Sequence, residues 1–533
     1  PAAPDAGSLA PDEIPLRVDL RCPGDPACRD NAGPLEAAAA KRDVTPLVEP
    51  FEDRNGNGRW DEGEPFTDRN GNKVFDPVWM GGFGSGHLAR GVHDPTWVRC
   101  YALRQGATTL VHCVFDAAGY FQTEIARIRK ALDPALGVDL LLMSATHDHE
   151  TQDTLGIFGP DDTTTGIDPA YLARVRAATV EAVAEAVRAL KPAKLSLASI
   201  PVEEGPAHDM THLVGDLRDP VIIDNVLHLV QLDAVDGGKP IVTLVNWTAH
   251  VQGFWKGNRQ ISSDYVHYLR ESVEKATGSD VVFITGAAGG QIGNEQIRPV
   301  TAEGKALPTV FDADPDETYV KAWGESVAAF AIKAFGARKE ASAPSLRFWH
   351  TSFDVHIENP AYHAAYFLHL IDRPLFGYDK SKPLIHDESG DNAPLTGTEV
   401  AYVRLGPAAM ITAPGELFPE SFIGGYDGSR RGTWEPFIDT KKIAPADVTK
   451  APQPPYLFDR MGGEPEHRMV FGYTLDMLGY FVPLYNFYVD PIAPYLSEPP
   501  GDNHYEETNS IGPRAEAEIV GTMRQLVIEA ERR

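Results

Sequence analysis

The feature that most constrains the fold is a repeated alternation between apolar runs and amphipathic helical patterns. The run VDLLLMSAT at 138–146 is almost wholly apolar, which is typical of a strand buried on both faces. The segment PAYLARVRAATVEAVAEAVRAL at 169–190 instead repeats its apolar residues with helical period and ends just before Pro192. The alternation continues past residue 400. It predicts the α/β class, with one large layered domain in which helices flank a mixed β-sheet.

Three segments are expected along the 533 residues. Residues 1–45 show little periodicity, which indicates an N-terminal tail or linker, residues 46–80 are loop-like, and residues 81–533 form the large domain. Lys and Arg total 48 and Asp and Glu total 76, so the net charge is −28. Because nucleic acids bind basic surfaces, this charge argues against a nucleic-acid partner.

No apolar run reaches the roughly 18 residues that a transmembrane helix needs. The segment Pro1–Asp12 is rich in proline, alanine and acidic residues, like the tether left when a signal peptide is removed. We therefore expect an exported protein, either secreted or held in the periplasm or at the cell surface. The tether is a candidate point of peripheral membrane contact.

The four cysteines are Cys22, Cys28, Cys100 and Cys113. Cys22 and Cys28 enclose the loop-like PGDPA, and in an exported chain this favours a small disulfide loop over free thiols. Cys100 and Cys113 lie on two apolar runs that a turn at 105–107 would set opposite each other. A cross-strand disulfide and two buried thiols both fit that pattern. None of the four has the spacing of a cysteine-rich zinc site.

Residues 53–64 follow the pattern of an EF-hand calcium loop. Such loops offer oxygen ligands at positions 1, 3, 5, 7, 9 and 12 and a glycine at position 6. Every position matches, with Gly58 as the glycine and these ligands: Asp53, Asn55, Asn57, the Arg59 carbonyl, Asp61 and Glu64. No amphipathic helices flank the loop, so a bound calcium ion would brace the segment and would not make it a sensor. An acidic turn without metal is the alternative.

A second run offers Asp68, Asn70, Asn72 and Asp76 at the corresponding positions. It lacks both the glycine at the sixth position and an acid at the twelfth. We therefore expect a weaker calcium site there, or one that shares ligands with the first loop.

Three predicted strands end in side chains that bind metals. The first strand leads into His147 and His149, the second into His250 and the third into Glu416. Strand ends gather the functional site in α/β folds. Two histidines and a carboxylate, with one coordination position left for water, suit catalytic zinc. On spacing alone, histidines that make only ordinary hydrogen bonds are an equal alternative.

A series of motifs in a fixed order carries a family resemblance. The motifs are SATHDH at 144–149, NWTAHVQ at 246–252, ISSDYVHYL at 261–269, GAAGGQIGNE at 286–295, APGELFPE at 413–420, LGYFVP at 478–483 and HYEETNSIGP at 504–513. With these motifs, and with the opening MGGFGSGH at 80–87, the sequence resembles the neutral/alkaline non-lysosomal ceramidase family over about residues 78–530. Members of that family are zinc-dependent amidases that cleave the N-acyl bond of ceramide.

The resemblance implies a ceramidase-like catalytic domain over 81–533, without the C-terminal immunoglobulin-like domain of family members. It implies zinc ligands at His147, His250, Glu416 and Tyr480. It also implies that His149 and Asp264 support the site or carry protons. Tyr473 lies near Tyr480 in the sequence and is a further candidate for contact with the reacting groups.

Two departures from the family pattern bear on the chemistry. Ile292 stands where the family has a serine that contacts the scissile amide, which rules out a serine nucleophile at that place. The acidic segment Glu150–Thr154 stands where the family has a glycine-rich stretch that lines the ceramide site. We therefore do not expect specificity for ceramide. A solvated loop and a site for a polar or cationic leaving group both fit the acidic segment.

These features predict an exported zinc hydrolase that cleaves an N-acyl amide with a zinc-activated water. Zinc and either Tyr473 or His149 would stabilise the oxyanion, and either His149 or Asp264 would carry a proton to the leaving amine. A zinc-dependent esterase or lactonase is an alternative. A non-catalytic protein that binds a lipid or cell-wall ligand is a second, and a purely structural zinc site is a third.

Overall fold

The computed structural model describes residues 16–202, 213–216, 218–237, 239–292, 297–310, 315–388, 390–427, 437–463, 465–501 and 504–532. The motif stretch at 293–295 lies outside the described residues. The strands, in chain order, are β1 (Leu20–Cys22), β2 (Leu35–Asp43), β3 (Gly91–Val92), β4 (Trp97–Gln105), β5 (Thr108–Phe115), β6 (Leu140–Ala145), β7 (Lys191–Pro201), β8 (Val226–Ala234), β9 (Pro240–Trp247), β10 (Gln260–Ile261), β11 (Asp280–Thr285), β12 (Lys339–Glu340), β13 (Leu346–His356), β14 (His386–Asp387), β15 (Gly390–Asp391), β16 (Leu395–Leu405), β17 (Ala408–Thr412), β18 (Glu416–Leu417), β19 (His467–Phe471) and β20 (Tyr480–Phe481). The helices are α1 (Gln122–Ala131), α2 (Pro169–Arg188), α3 (Asp264–Thr277), α4 (Glu317–Ala337), α5 (Pro360–Phe367), α6 (Pro419–Ile423), α7 (Leu457–Arg460) and α8 (Ala515–Glu531).

Two large sheets form the centre of the fold. The larger sheet has the order β11-β9-β8-β7-β2-β4-β5-β6, with β12 beside β7, and it mixes parallel and antiparallel pairs. The smaller sheet has the order β1-β13-β16-β17-β19. Apolar residues of both sheets, such as Leu232 and Phe348, pack into one buried cluster between them. The fold is therefore of the predicted α/β class, with two sheets at its core.

Helices cover the outer faces of both sheets. On the larger sheet, α1 and α2 share a buried cluster with β4, β5 and β6, and α3 and α4 share one with β8, β9 and β11. Helix α8 packs on the outer face of the smaller sheet. The result is a four-layer arrangement that buries both faces of each sheet, which explains the long apolar runs in the sequence. No described helix is long and apolar enough to cross a membrane.

Residues 35–43 lie within the larger sheet, although the sequence pattern indicated a tail over 1–45. Strand β2 pairs with β4 along its whole length and with β7 at its start. Its sequence, LEAAAAKRD, is poor in the β-branched and aromatic residues that mark strands, so propensity did not reveal it. Its neighbours and the covering helix α2 stabilise the strand.

Both cysteine pairs form disulfides. Cys22 bonds to Cys28, as predicted. Cys100 and Cys113 face each other on the antiparallel strands β4 and β5 and are also bonded, which resolves the alternative that the sequence left open. All four residues are fully buried.

A buried acid joins α8 to α6 and makes stability depend on pH. Ser421 Oγ donates to Glu516 Oε1 at 3.1 Å, and burial raises the pKa of Glu516 to about 7. Because folding raises this pKa, the carboxyl group contributes most to the free energy of unfolding below the pKa that it has in the unfolded chain. That contribution is lost as the pH rises through 7. Glu516→Gln cannot ionise, so we expect it to gain stability over the wild type between about pH 5 and pH 8, by at most about 3 kcal/mol. Urea unfolding at several pH values measures this, and parallel pH profiles for the two proteins would contradict it.

Candidate metal centre

Loops that follow β6 and β9 bring three histidines together. Strand β6 ends at Ala145, and His147 then turns inward with φ at +62°. The two loops are joined by a hydrogen bond from His149 N to Val251 O at 2.9 Å. As a result His147, His149 and His250 form one buried cluster, with a ring nitrogen of each within 4.8 Å of the others.

Strand β18 adds a carboxylate and β20 a phenol to the same cluster. Parallel pairing of the two strands places Glu416 opposite Tyr480. Glu416 Oε2 lies 3.3 Å from His147 Nε2 and 3.2 Å from His250 Nε2. The Tyr480 ring is buried 6.5 Å from the His250 ring. The structure thus brings together the four side chains that the resemblance implied as zinc ligands.

The acceptor atoms of this cluster converge with few hydrogen bonds among them. His147 Nδ1 donates to the Ala118 carbonyl at 2.6 Å, so His147 Nε2 carries the lone pair. His250 Nε2 and Glu416 Oε2 are buried and lie 3.2 Å apart without the geometry of a hydrogen bond. Converging buried acceptors are costly unless a cation lies between them. Two imidazoles and a carboxylate are a typical zinc set, so the residues present fit a zinc-type ion.

The ionisation of the cluster also suits a divalent cation. Burial lowers the pKa of His250 to about 4, with a further lowering from His147. Burial likewise holds the pKa of His149 well below its ordinary value. For Glu416, burial raises the pKa, but His147 and His250 outweigh that effect and bring it to about 2. At neutral pH these groups are neutral imidazoles and a carboxylate, which are the forms that bind metals.

Tyr473 lies against the face of the His147 ring. Its ring stacks on the His147 ring, with centroids 4.1 Å apart and planes 11° apart. The residue sits in a segment that hydrogen-bonds to β6 and to the loop after β17, through Ala145 N to Tyr473 O at 2.9 Å and Tyr473 N to Gly415 O at 3.2 Å. Its hydroxyl is buried without a partner among the described residues, and burial keeps its pKa well above the ordinary value. A neutral phenol is therefore available as a donor beside the cluster.

Asp264 opens α3 and holds a neighbouring turn. Its Oδ2 accepts from Phe254 N at 2.9 Å and its Oδ1 accepts from Tyr265 N at 2.6 Å. Burial raises its pKa to about 6. These contacts are with backbone amides, so Asp264 positions the turn before α3. Its predicted role in proton transfer remains a prediction.

The segment that departs from the family's glycine-rich stretch is buried. Glu150 is fully buried and accepts from Asn258 Nδ2 at 2.7 Å. Asp153 is also fully buried and accepts backbone N–H groups from Leu155 and Gly156 at 2.8 and 2.9 Å. Both acids therefore stabilise loops around the cluster, and the segment is not the solvated loop that was one of its two interpretations.

Ile292 ends the glycine-rich turn after β11. The Ile292 carbonyl accepts from Gln252 Nε2 at 3.1 Å, and Gly289 N donates to the Leu417 carbonyl at 2.8 Å. The turn therefore lies between the loop that carries His250 and the strand that carries Glu416. The Ile292 side chain carries no hydroxyl or thiol, so this residue offers no nucleophile.

Two groups beside the cluster were not identified from the sequence. The Tyr505 ring lies 6.1 Å from the Tyr480 ring, edge to face. The Arg218 guanidinium is buried and pairs with Glu506 at 2.8 Å and with Glu507 at 2.7 Å. Tyr505 belongs to the last motif, which was the available signal. Arg218 gave no signal in the sequence, because a single arginine in a loop belongs to no periodic pattern.

The first calcium-type loop closes around its own polar side chains. Asp53 Oδ1 accepts from Asn57 N at 3.1 Å, and Asp53 Oδ2 accepts from Gly58 N at 2.9 Å. The side-chain amides of Asn55 and Asn57 both contact Asp61 Oδ2, at 2.6 and 2.7 Å. The side chains at positions 1, 3, 5 and 9 thus face one centre. The oxygens of these two amides each accept from the backbone N–H group two residues further on, at 2.9 and 2.8 Å, which fixes the orientation of both amides.

The second loop gains from elsewhere in the chain the acid that it lacks. Glu64 Oε1 and Oε2 accept from the backbone N–H groups of the second and ninth residues of the first loop, at 2.8 and 2.9 Å. Glu49, which is almost fully buried, accepts from the same two positions of the second loop, at 2.9 and 3.0 Å. Asn70 and Asn72 contact Asp76 Oδ2, at 2.6 and 2.8 Å. The Glu-Pro-Phe triplet at 49–51 and again at 64–66 was the sequence signal for Glu49.

Comparison with known proteins supports the fold. No protein-family model matches the sequence, and no curated protein matches it. A solved structure of neutral ceramidase from Pseudomonas aeruginosa superposes with a TM-score of 0.58 at 14% identity, covering 94% of this chain and 75% of that one. A ceramidase structure described as complexed with C2 gives a TM-score of 0.60 at the same identity and coverage. The chain therefore has the neutral ceramidase fold, as the motif order predicted.

Proposed function

We propose that this protein is a zinc-dependent hydrolase that cleaves N-acyl amide bonds. The observation that carries the proposal is the convergence of the His147, His250 and Glu416 acceptor atoms from separate strand ends, within 3.3 Å of one another where they meet Glu416. The shared fold with neutral ceramidase supports the amide as the bond that is cleaved. The likeness is one of fold at low sequence identity. We therefore propose the class of substrate from the chemistry of the cluster.

Each residue of the cluster has a distinct part in this proposal. His147, His250, Glu416 and Tyr480 would hold the ion, and the Ala118 carbonyl fixes the tautomer of His147. A bound zinc ion supplies a Lewis acid and activates water toward an amide carbonyl.

The groups that flank the ion serve the reacting atoms. Tyr473 donates its phenolic proton as a hydrogen bond to the carbonyl oxygen as negative charge develops there. His149 is neutral before reaction, takes a proton from the attacking water, and delivers it to the amine nitrogen. The water oxygen forms the new bond to the carbonyl carbon, the C–N bond breaks, and a carboxylic acid and an amine leave. Ile292 contributes no nucleophile, so water is the attacking group.

Hydrolysis of a panel of uncharged N-acyl amides tests the proposal, with release of primary amine as the readout. We expect zinc-dependent turnover of the amides. Chelation should abolish the activity, and added zinc should restore it. Turnover of esters alone would favour the esterase or lactonase alternative. A zinc-loaded protein that turns over neither class would contradict the proposal and favour a binding role.

We further propose that the loops at 53–64 and 68–76 form a linked pair of calcium sites, the second completed by Glu49. One line of support is the matching set of bonds that Glu49 and Glu64 accept. A second is the β-bridge between Phe51 and Phe66. At this bridge Glu52 N donates to Pro65 O and Thr67 N donates to Pro50 O, both at 2.9 Å. Glu64 thus closes the first loop, to which it belongs, and Glu49 closes the second. Calcium at these positions would brace the segment that leads to the metal centre.

Glu49→Gln and Glu64→Gln are expected to act alike, because each removes a carboxylate from one of two linked loops. Both variants should lose most of the rise in melting temperature that calcium gives the wild type, a rise of several degrees at about 100 times the dissociation constant. Differential scanning calorimetry with and without calcium measures the effect. Glu52→Gln, an exposed acid of the same segment, is the control. A calcium-induced rise that neither Glu49→Gln nor Glu64→Gln diminishes would contradict the proposal.

We propose export for this protein, to a secreted, periplasmic or cell-surface location. The two disulfides support it, because disulfides persist in oxidising compartments. The acidic composition is compatible with an extracellular enzyme that acts on an uncharged substrate.

A further inference from the structure

We infer that Phe83 and Trp255 form the wall of the amine subsite and select substrates with an apolar group on the amine nitrogen. These two side chains form the aromatic wall. The inference rests on the proposed function, because it assigns the side of the metal centre from which the amine leaves.

The aromatic wall lies against His149, the most exposed of the three clustered histidines. His149 is 8% exposed, whereas His147 is 4% exposed and His250 is 1% exposed. The Phe83 ring meets the His149 ring edge to face at 5.1 Å and the Trp255 ring at 5.5 Å. Both aromatic residues are only partly buried. A substrate that approaches on the His149 side therefore passes these two rings.

The loop that carries Phe83 is shaped to hold the ring against His149. It is closed by the hydrogen bond from Met80 N to His87 O at 2.8 Å and tied to a neighbouring loop by Gly86 N to Gly159 O at 2.7 Å. Gly82 adopts φ of +120°, and a Cβ at that position would lie 2.5 Å from the His149 ring. Only glycine permits this approach of backbone to imidazole.

The turn that carries Trp255 is held in a strained conformation. Trp255 adopts φ of +63°, a left-handed conformation that is rare for a bulky residue. Asp264 anchors the turn by accepting from Phe254 N, and a Cβ at Gly253 would lie 2.7 Å from Asp264 Oδ1. Strain of this kind persists where the surrounding structure maintains it and concentrates at functional sites. Asp264 is thus a positioning residue for the aromatic wall.

The assignment to the amine side follows from the role of His149. In the proposed reaction His149 delivers the proton to the leaving nitrogen, so that nitrogen and its substituent lie on the His149 side. Two aromatic rings offer apolar contact area there, which favours an alkyl or aryl substituent. Burial of such a group against the rings removes apolar surface from water.

Two uncharged amides test the inference, sharing one acyl chain and carrying either hexyl or methyl on the amine nitrogen. We expect wild type to favour the hexylamide in kcat/KM, and Phe83→Ala to lose at least about tenfold of that preference because kcat/KM falls further for the hexylamide than for the methylamide. Trp255→Gly should act in the same direction, since glycine accepts the backbone conformation without strain. Phe83→Leu should retain part of the preference. Phe376→Ala, which removes a partly exposed ring elsewhere, is the control.

An equal loss for both amides in Phe83→Ala would show that the ring only supports His149 and would overturn the inference. If wild type turns over neither amide, the proposed reaction fails, and calorimetric binding of the same two amides then decides the inference separately. Preferential binding of the hexylamide that Phe83→Ala loses supports the aromatic wall. Equal binding of the two amides by wild type overturns it.

Discussion

His250→Ala is expected to lose zinc and hydrolytic activity together. His250 Nε2 is fully buried and faces Glu416 Oε2 at 3.2 Å, so the substitution removes one of the atoms that would bind the ion. We expect zinc content to fall below about one tenth of the wild-type value and kcat/KM to fall by at least about 1,000-fold. Elemental analysis and amine release on the same preparation measure the two quantities.

His228→Ala is the matched control for this variant. His228 is a buried histidine of β8 that contacts Ser199 Oγ at 2.6 Å and lies outside the cluster. We expect His228→Ala to lose stability, because it replaces a buried side chain, and to keep its zinc. Full zinc occupancy in His250→Ala, or equal zinc loss in both variants, would contradict the ligand assignment.

Tyr473→Phe is expected to keep zinc and lose rate. The ring still stacks on His147, but the hydroxyl that donates to the developing oxyanion is gone. Loss of one such donor costs about 100- to 1,000-fold in kcat. We expect KM to change little, because the donor acts mainly in the transition state.

Steady-state kinetics and zinc analysis on Tyr473→Phe measure this effect. Tyr101→Phe is the control, since it removes a buried hydroxyl that contacts His112 Nδ1 at 3.0 Å on β4 and β5. An unchanged kcat in Tyr473→Phe would remove Tyr473 from the chemistry. Loss of zinc would instead make it a ligand. Tyr480→Phe, by contrast, should weaken zinc binding.

Local sequence patterns predicted most of the framework because they reflect burial and chain stereochemistry. Helix α2 begins with Asp168 as its cap and Pro169 in its first turn, and helix α3 ends at Gly278 in a left-handed conformation. Both ends follow from backbone chemistry that is visible in the sequence. Strand β2 was missed because neighbouring strands and a helix, which act at long range, override its alanine-rich sequence.

The site was predictable to the extent that its residues end strands. His147, His250 and Glu416 each follow an apolar run, and the fold brings those ends together. Pairing between segments decides which further side chains join the site. Tyr480 lies opposite Glu416 because β18 pairs in parallel with β20. Glu49 contacts the second calcium-type loop because its carboxylate accepts a backbone N–H group of that loop. Pairing between distant segments cannot be read from local periodicity.

The most direct test of the account is a zinc-edge X-ray absorption spectrum of the protein purified without added metal. We expect a zinc edge at about one ion per chain, with a shell of nitrogen and oxygen ligands near 2.0–2.1 Å that includes two imidazoles and no sulfur. His147→Ala should lose the edge. Absence of zinc from the wild type, or a zinc spectrum that His147→Ala leaves unchanged, would contradict the metal centre on which the proposed reaction depends.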